Sequence, residues 1–300
     1  MRKIIKNTNM DYTDITKAIK DFKVLFPFLQ TETIGKSCGG RDITAIKIGR
    51  SEEYVLFTAA FHGSEHITAN LLLMFVEDLC NAIKGGTEFA GFNVRRVMTG
   101  RSIIFVPLVN PDGAEISIHG PKSAGRMEGF VKKICKGDFS HWNANLRGVD
   151  INHNFNADWD SLHRLERQSG IYVPSMTRFG GYRAESEPET KALVNLCHTY
   201  RIRHAIALHS QGEVIYWDYG PKNPPRAQKM AEIMATASGY ELSAPEGLAV
   251  GGGFKDWFIK EFNRPAFTVE VGKGENPLPS EDCELIYRRI AEMLVLCIAM

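Results

Sequence analysis

Four residues in this chain have types and settings suited to a hydrolytic metal centre. His62 and Glu65, in Phe61-His-Gly-Ser-Glu65, stand three apart just after an apolar run; His209 ends a second such run, and Glu270 interrupts a third. Two imidazoles and a carboxylate can hold a zinc ion and leave a fourth position open for water. Glu270 lies in Phe267-Thr-Val-Glu-Val271, where burying an unpaired carboxylate is costly. Beside a metal it could act as a general base, taking a proton from the attacking water and passing it to the leaving amine. A salt bridge to a core Arg or Lys is the plainer explanation, and from this residue alone both stay open.

The spacing itself is common. His163 and Glu166, in Ser161-Leu-His-Arg-Leu-Glu-Arg-Gln168, repeat it with no strand before them and arginines around them, which reads as a solvated helix face. His62, Glu65 and His66 also form H-x-x-E-H, the pattern in which two helical histidines bind zinc and the glutamate is the base. That alternative needs His62 and His66 on one face of a regular helix, whereas Gly63-Ser64 directly after a strand favours a loop at His62. His209 is the natural third ligand. A histidine at a strand end is often structural, and what recommends this one is that it leaves the same kind of strand end as His62.

Elements must bring these residues together. Apolar spacing predicts helices over Asp14 to Phe26, Ile67 to Ile83, Glu187 to Tyr200, Arg226 to Ser238 and Glu281 to Ile298. Strands are predicted at Thr44 to Ile48, Tyr54 to Ala60, Ser102 to Val109, His204 to Leu208 and Ala266 to Val271. Strands alternating with helices imply an α/β sandwich around a largely parallel sheet, whose ligands collect outside the carboxyl ends of the strands. From about Gly113 to Gly181 periodicity is poor and Gly, Asn, Asp and His are frequent, as in long functional loops on a rigid sheet. No linker or repeat divides the chain, so a single domain over residues 1–300 is expected.

With 44% hydrophobic and 24% charged residues the chain can bury a large core, and disorder is not expected. Lys plus Arg against Asp plus Glu is 36 to 35, with no basic block, which points away from nucleic acid and from a membrane surface. No apolar stretch follows the basic start and none is long enough to span a bilayer, so the expected location is the cytoplasm. Cys38, Cys80, Cys135, Cys197, Cys283 and Cys297 show no metal-binding spacing and read as free, mostly buried thiols.

Taken together, the residues resemble the zinc carboxypeptidase family along nearly the whole chain. The matching pieces run in the family's order: Ile34-Gly-Lys-Ser-x-x-Gly40-Arg41, His62-x-x-Glu65, Asn110-Pro-Asp-Gly113, Gly148-Val-Asp-Ile-Asn152, His209-Ser210, Gly252-Gly-x-x-Asp256-Trp257 and Thr268-Val-Glu270. The resemblance implies a mixed, mostly parallel eight-stranded sheet sandwiched by helices, one zinc ion on His62, Glu65 and His209, and Glu270 as the base. It also places Asn152, His153 and Ser210 in a substrate cleft, with Arg147 to stabilise the oxyanion, or Arg101, Arg126 or Arg183 in its stead.

The chain departs from the family where substrates are chosen. His153 stands where the family usually has the arginine that clamps a terminal carboxylate, and Leu248 stands where the digestive enzymes have a capping tyrosine. Lys255 takes the position lining the base of their side-chain pocket, where it would favour an acidic leaving residue unless it is simply a solvated surface lysine. Val269-Glu-Val-Gly-Lys-Gly-Glu-Asn-Pro-Leu278 is similar to the bacterial γ-D-glutamyl-diaminopimelate endopeptidase branch. The expectation is therefore a zinc peptidase that cleaves the γ-D-glutamyl bond to meso-diaminopimelate in murein peptides. A carboxypeptidase releasing acidic C-terminal residues is the second reading. The third is a binding protein of the same fold, which would have no need of all four of His62, Glu65, His209 and Glu270.

Overall fold

The computed structural model describes residues 4–5, 8–220 and 223–300. Eight strands form the main sheet: β1 (Gln30–Lys36), β2 (Asp42–Ile48), β3 (Glu53–Ala59), β4 (Ser102–Val106), β5 (Arg201–His209), β6 (Val214–Tyr216), β7 (Glu241–Ser243) and β8 (Ala266–Glu270). Their order is β1-β2-β4-β3-β5-β8-β6-β7. The four central strands, β4-β3-β5-β8, run parallel, while β1, β2 and β6 pair antiparallel to their inner neighbours.

Alternation along the strands explains why helices cover both faces. Val55, Phe57, Ile206, Leu208, Phe267 and Val269 pack on one face, beneath α1 (Tyr12–Leu25), α2 (Ile67–Gly85) and the long C-terminal helix Cys283–Ala299. Leu56, Ile104, Ala205, Ala207 and Ala266 point the other way, where small side chains admit helices Pro188–Thr199 and Phe254–Phe262. All five predicted strands are present, with Ser102 to Val109 shortened to end at Val106. Of the strands without a prediction, β1 and β7 are the partly or fully exposed edges of the sheet, and β6, between β8 and β7, is only three residues long.

The loop-rich middle contains more helix than its periodicity promises, notably α3 (Pro111–His119) and α4 (Trp159–Gln168). Here the solvated-face reading of His163 and Glu166 is overturned, because Glu166 on α4 has no exposed surface. All six cysteines are free, and five of them are buried. No helix among the described residues is long and apolar enough to cross a membrane.

Candidate metal centre

Three neighbouring central strands deliver the four residues to one rim of the sheet. β3 ends at Ala59, β5 ends at His209, and β8 places Glu270 directly opposite His209 in the parallel register. After β3 the chain turns sharply: His62 is extended at φ −99°, ψ 138°, and residues Gly63–Glu65 form a single 3-10 turn leading into α2. A side chain on Gly63 would collide with the carbonyl oxygens of Gly113 and Trp142 at 2.3 and 2.4 Å, so this turn needs glycine for close backbone packing. Asn110 locks it by donating its amide to the carbonyls of Phe61, Asn143 and Ala144. Asp112 in turn binds Arg41 at 2.5 Å and the Gly39 amide, joining two of the motif pieces into one scaffold.

Within this turn Glu65 accepts both histidines. His62 Nδ1 lies 2.8 Å from one carboxylate oxygen and His209 Nδ1 3.0 Å from the other, and the ligand atoms of the three residues all fall within 4.8 Å of one another. The Ser210 amide donates to the same carboxylate, while the Ser210 hydroxyl reaches Asn276 at 2.8 Å. On its far side His62 Nε2 lies 3.2 Å from Asp150, which also accepts the Arg178 amide. A carboxylate behind a ligating imidazole fixes ring and tautomer. The fourth nitrogen, His209 Nε2, is buried without a partner, and its ring stacks on Phe61 with centroids 5.0 Å apart.

The electrostatics fit a cation. Burial would raise Glu65, but the charges of His62 and His209 outweigh it and hold the carboxyl at about 2. Burial would likewise lower His62, yet Glu65 and Asp150 hold it well above the ordinary imidazole range. Glu270 moves the opposite way, raised far above a normal carboxylate first by burial and then by the negative Glu65. Two imidazoles held by carboxylates, beside an acid kept from ionising, form a site whose balance a divalent cation would complete. Two nitrogens and a carboxylate oxygen are a donor set that suits zinc.

His66 plays no part in this set. His62 is extended and not helical, so the two share no helix face, and the H-x-x-E-H alternative fails; His66 is buried, its Nδ1 lacks a partner, and burial pushes it down to about 4.

The remaining sequence-derived residues divide sharply. Asn152 and His153 follow Asp150 in a single turn beside the histidines, with the Asn152 side-chain oxygen accepting the Phe254 amide. Arg147 is half exposed and its guanidinium sits 3.5 Å from Glu187, with no hydrogen bond or ion pair to the metal-site residues. Arg101 lies at the opposite, amino-terminal end of β4. Lys255 is neither a surface lysine nor a free charge: it is buried, with Nζ 2.5 Å from Asp256 and 2.5 Å from the Asp218 carbonyl. An ammonium already balanced by a buried carboxylate gives no basis for preferring an acidic leaving residue. Sequence reasoning missed Asp150 as the support of His62, although it stands in the Gly148-Val-Asp-Ile-Asn152 motif, and it missed Glu166, whose polar neighbours concealed its burial.

Comparison with known proteins agrees with this geometry. A curated γ-D-glutamyl-L-diamino acid endopeptidase 1 of Lysinibacillus sphaericus is 34% identical over 286 residues, covering 93% of this chain and 70% of its own. Bovine thrombin-activatable fibrinolysis inhibitor superposes with a TM-score of 0.75 at 18% identity, covering 98% of this chain and 97% of that one. The carboxypeptidase A of Helicoverpa armigera gives 0.73 at 20%, covering 98% and 74%. The profile of the zinc carboxypeptidases matches residues 15–290, and the chain belongs to that family.

Proposed function

We propose that this zinc peptidase hydrolyses the γ-D-glutamyl bond to a diamino acid, such as meso-diaminopimelate, in murein peptides. The observation that carries the chemistry is the convergence of His62, Glu65 and His209 beside Glu270. What supports the substrate is the 34% identity, across almost the whole chain, to an endopeptidase named for that bond.

Zinc held by His62, Glu65 and His209 would supply Lewis acidity toward the scissile carbonyl and water. Asp150 fixes the His62 ring so that its Nδ1 faces the site. Glu270 takes the proton of the attacking water and delivers it to the departing amine of the diamino acid. Its burial matters here, because a carboxyl kept from ionising easily is a stronger base once ionised. Asn152 has its amide nitrogen uncommitted, since Phe254 occupies the oxygen, and can donate to a substrate carboxylate. The balanced charge of Lys255 removes the sequence-based reason for expecting an acidic leaving residue, glutamate and diaminopimelate alike, so the choice between them rests on the relative named above.

The test is mass spectrometry of products after zinc-loaded protein meets L-Ala-γ-D-Glu-meso-diaminopimelate beside an ordinary peptide ending in glutamate, with a chelator control. Chelator-sensitive release of diaminopimelate alone is expected. Release of glutamate alone would replace this reading with the carboxypeptidase.

A further inference from the structure

The sheet has a second pole that the metal centre does not use. At the amino-terminal ends of β3, β5 and β8, opposite the rim that carries His62, His209 and Glu270, the surface opens into a hollow of about 310 Å³. β5 runs nine residues from Arg201 in this hollow to His209 in the metal centre, a span of roughly 26 Å at the usual rise per strand residue. Four guanidiniums line the hollow: Arg201 and Arg203 from the start of β5, Arg264 from the segment entering β8, and Arg226 from the start of helix Ala227–Ser238.

Their charge is not balanced locally. Glu53 is the one acidic side chain in the lining, and it is already shared between Arg201 at 2.9 Å and Arg203 at 2.8 Å. Arg264 donates to the Ile202 carbonyl, and Arg226 makes no ion pair or side-chain hydrogen bond among the described residues. Met300 also borders the hollow, and counting a terminal carboxylate there beside Glu53 still leaves two of the four positive charges unmatched. Over the whole chain Lys plus Arg is 36 and Asp plus Glu is 35, so the gathering does not follow from composition. Its field reaches further. Arg101, whose Nε is buried without a partner, is held below the ordinary guanidinium range by burial and then by Arg203 and Arg226. Burial, reinforced by Arg203, Arg101 and Arg226, pushes His204 in the lining down to about 4, so that ring is neutral near pH 7 and the positive charge is guanidinium alone.

Arg226 is also misplaced for its own helix. It stands at the N-cap in left-handed backbone, φ 71°, with no side chain capping the first turn, where helices prefer a polar acceptor or a negative charge. A bound anion would reverse that mismatch, since helix N-termini and arginine forks both take phosphate.

We infer that this hollow binds a small phosphate-bearing anion, held by Arg203, Arg226 and Arg264 with the amino-terminal turn of helix Ala227–Ser238. Guanidiniums arriving from three separate elements suit a tetrahedral, multiply charged phosphate better than a flat carboxylate. The volume is that of a modest small-molecule site. A ligand that binds only the folded chain stabilises it, so occupancy raises the melting temperature. The site is independent of what the metal centre cleaves.

The test titrates pyrophosphate, orthophosphate and citrate into zinc-loaded protein at pH 7.5 and low salt by isothermal titration calorimetry, with melting curves on the same samples. Pyrophosphate is expected to bind one to one, to raise the melting temperature, and to bind about tenfold more tightly than citrate. Arg226→Gln and Arg264→Gln should each weaken it by about tenfold or more, the worth of a charge-assisted hydrogen bond. Arg288→Gln, which removes the same charge from the exposed side of the C-terminal helix, should bind as the parent does. His209→Gln should also bind as the parent does, which separates the hollow from anion capture at the zinc. Absence of pyrophosphate binding, citrate binding as tightly, an unchanged affinity in Arg226→Gln, or loss of binding in His209→Gln each overturns the proposal. Should Arg264→Gln fail to fold for want of its Ile202 contact, the exposed Arg226 decides alone. Orthophosphate separates the sources of the ligand: affinity equal to that of pyrophosphate assigns the site to free phosphate, and weaker affinity assigns it to the phosphate groups of a larger molecule.

Discussion

Glu65 and Glu166 sit at the centres of two clusters that are nearly the same on paper and opposite in use. Each is a buried glutamate three residues after a histidine, each accepts the Nδ1 of that histidine at 2.8 to 3.0 Å, and each accepts the Nδ1 of a second, distant histidine. At Glu65 the three ligand atoms converge within 4.8 Å of one another, and no such convergence joins His153, Glu166 and His163. The backbone makes the difference. His62 is extended at a strand end, so its ring and that of the strand-end His209 lean over the same carboxylate, whereas His163 rises from a regular helix. Pairing histidine with glutamate is thus not what makes a metal site. Convergence of the nitrogens is, and a carboxylate that keeps them apart becomes a clamp instead.

The hardest test of this contrast is metal content. His209→Gln should reduce bound zinc from about one equivalent to near zero, while His163→Gln should leave it unchanged, as read by elemental analysis of dialysed protein. Zinc loss in His163→Gln would erase the distinction between the clusters. Glu270→Gln belongs to the same comparison from the side of chemistry, since it removes the base without removing a ligand. Its kcat should fall by roughly 10²–10⁴, the usual worth of a positioned general base, with zinc near parental. A variant that loses zinc instead would make Glu270 a ligand.

Asp150 sharpens the contrast further, because it supports one cluster from outside. Asp150→Asn keeps the shape but weakens the hold on His62, and zinc affinity should drop about 10- to 100-fold in competition with a chromogenic chelator. An unchanged affinity would mean that Glu65 and the Phe61 packing orient the histidines unaided.

How much of this was legible in the sequence follows from the same physics. Central strands announced themselves because both faces are buried and the run is apolar throughout, and His62, His209 and Glu270 were legible as polar residues at the ends of such runs. The edge strands were not, since Gln30–Lys36 and Glu241–Ser243 carry mixed or exposed residues and owe their form to a neighbour. Glu166 misled for a related reason. Arginines at 164 and 167 flank it on the helix, but the 3.6-residue period puts Leu162 and Glu166 on the inward side, where a loop segment around Gly180 covers them. Lys255 likewise reads as a free charge until the fold buries it against its neighbour Asp256 and the Asp218 carbonyl.

A third carboxylate cluster shows the cost that the first two avoid. Glu189 is fully buried near Glu187, accepting the Cys38 amide, the Cys38 thiol and the Asn145 side chain, with no imidazole hydrogen-bonded to it. Burial, with Asp112 adding to it, lifts Glu189 to about 7. Since its value in the unfolded chain is near 4.5, the folded protein binds more protons between those values, and stability must fall as pH rises from about 4.5 to 7. Glu189→Gln removes that titration. Relative to the parent it should gain on the order of 2 kcal/mol between pH 5 and pH 8, measured as the difference in denaturant unfolding free energies at the two values. A variant whose deficit or advantage is the same at both pH values would mean that Glu189 stays ionised through this range, and that a buried carboxylate here tolerates its charge without the histidines that Glu65 and Glu166 require.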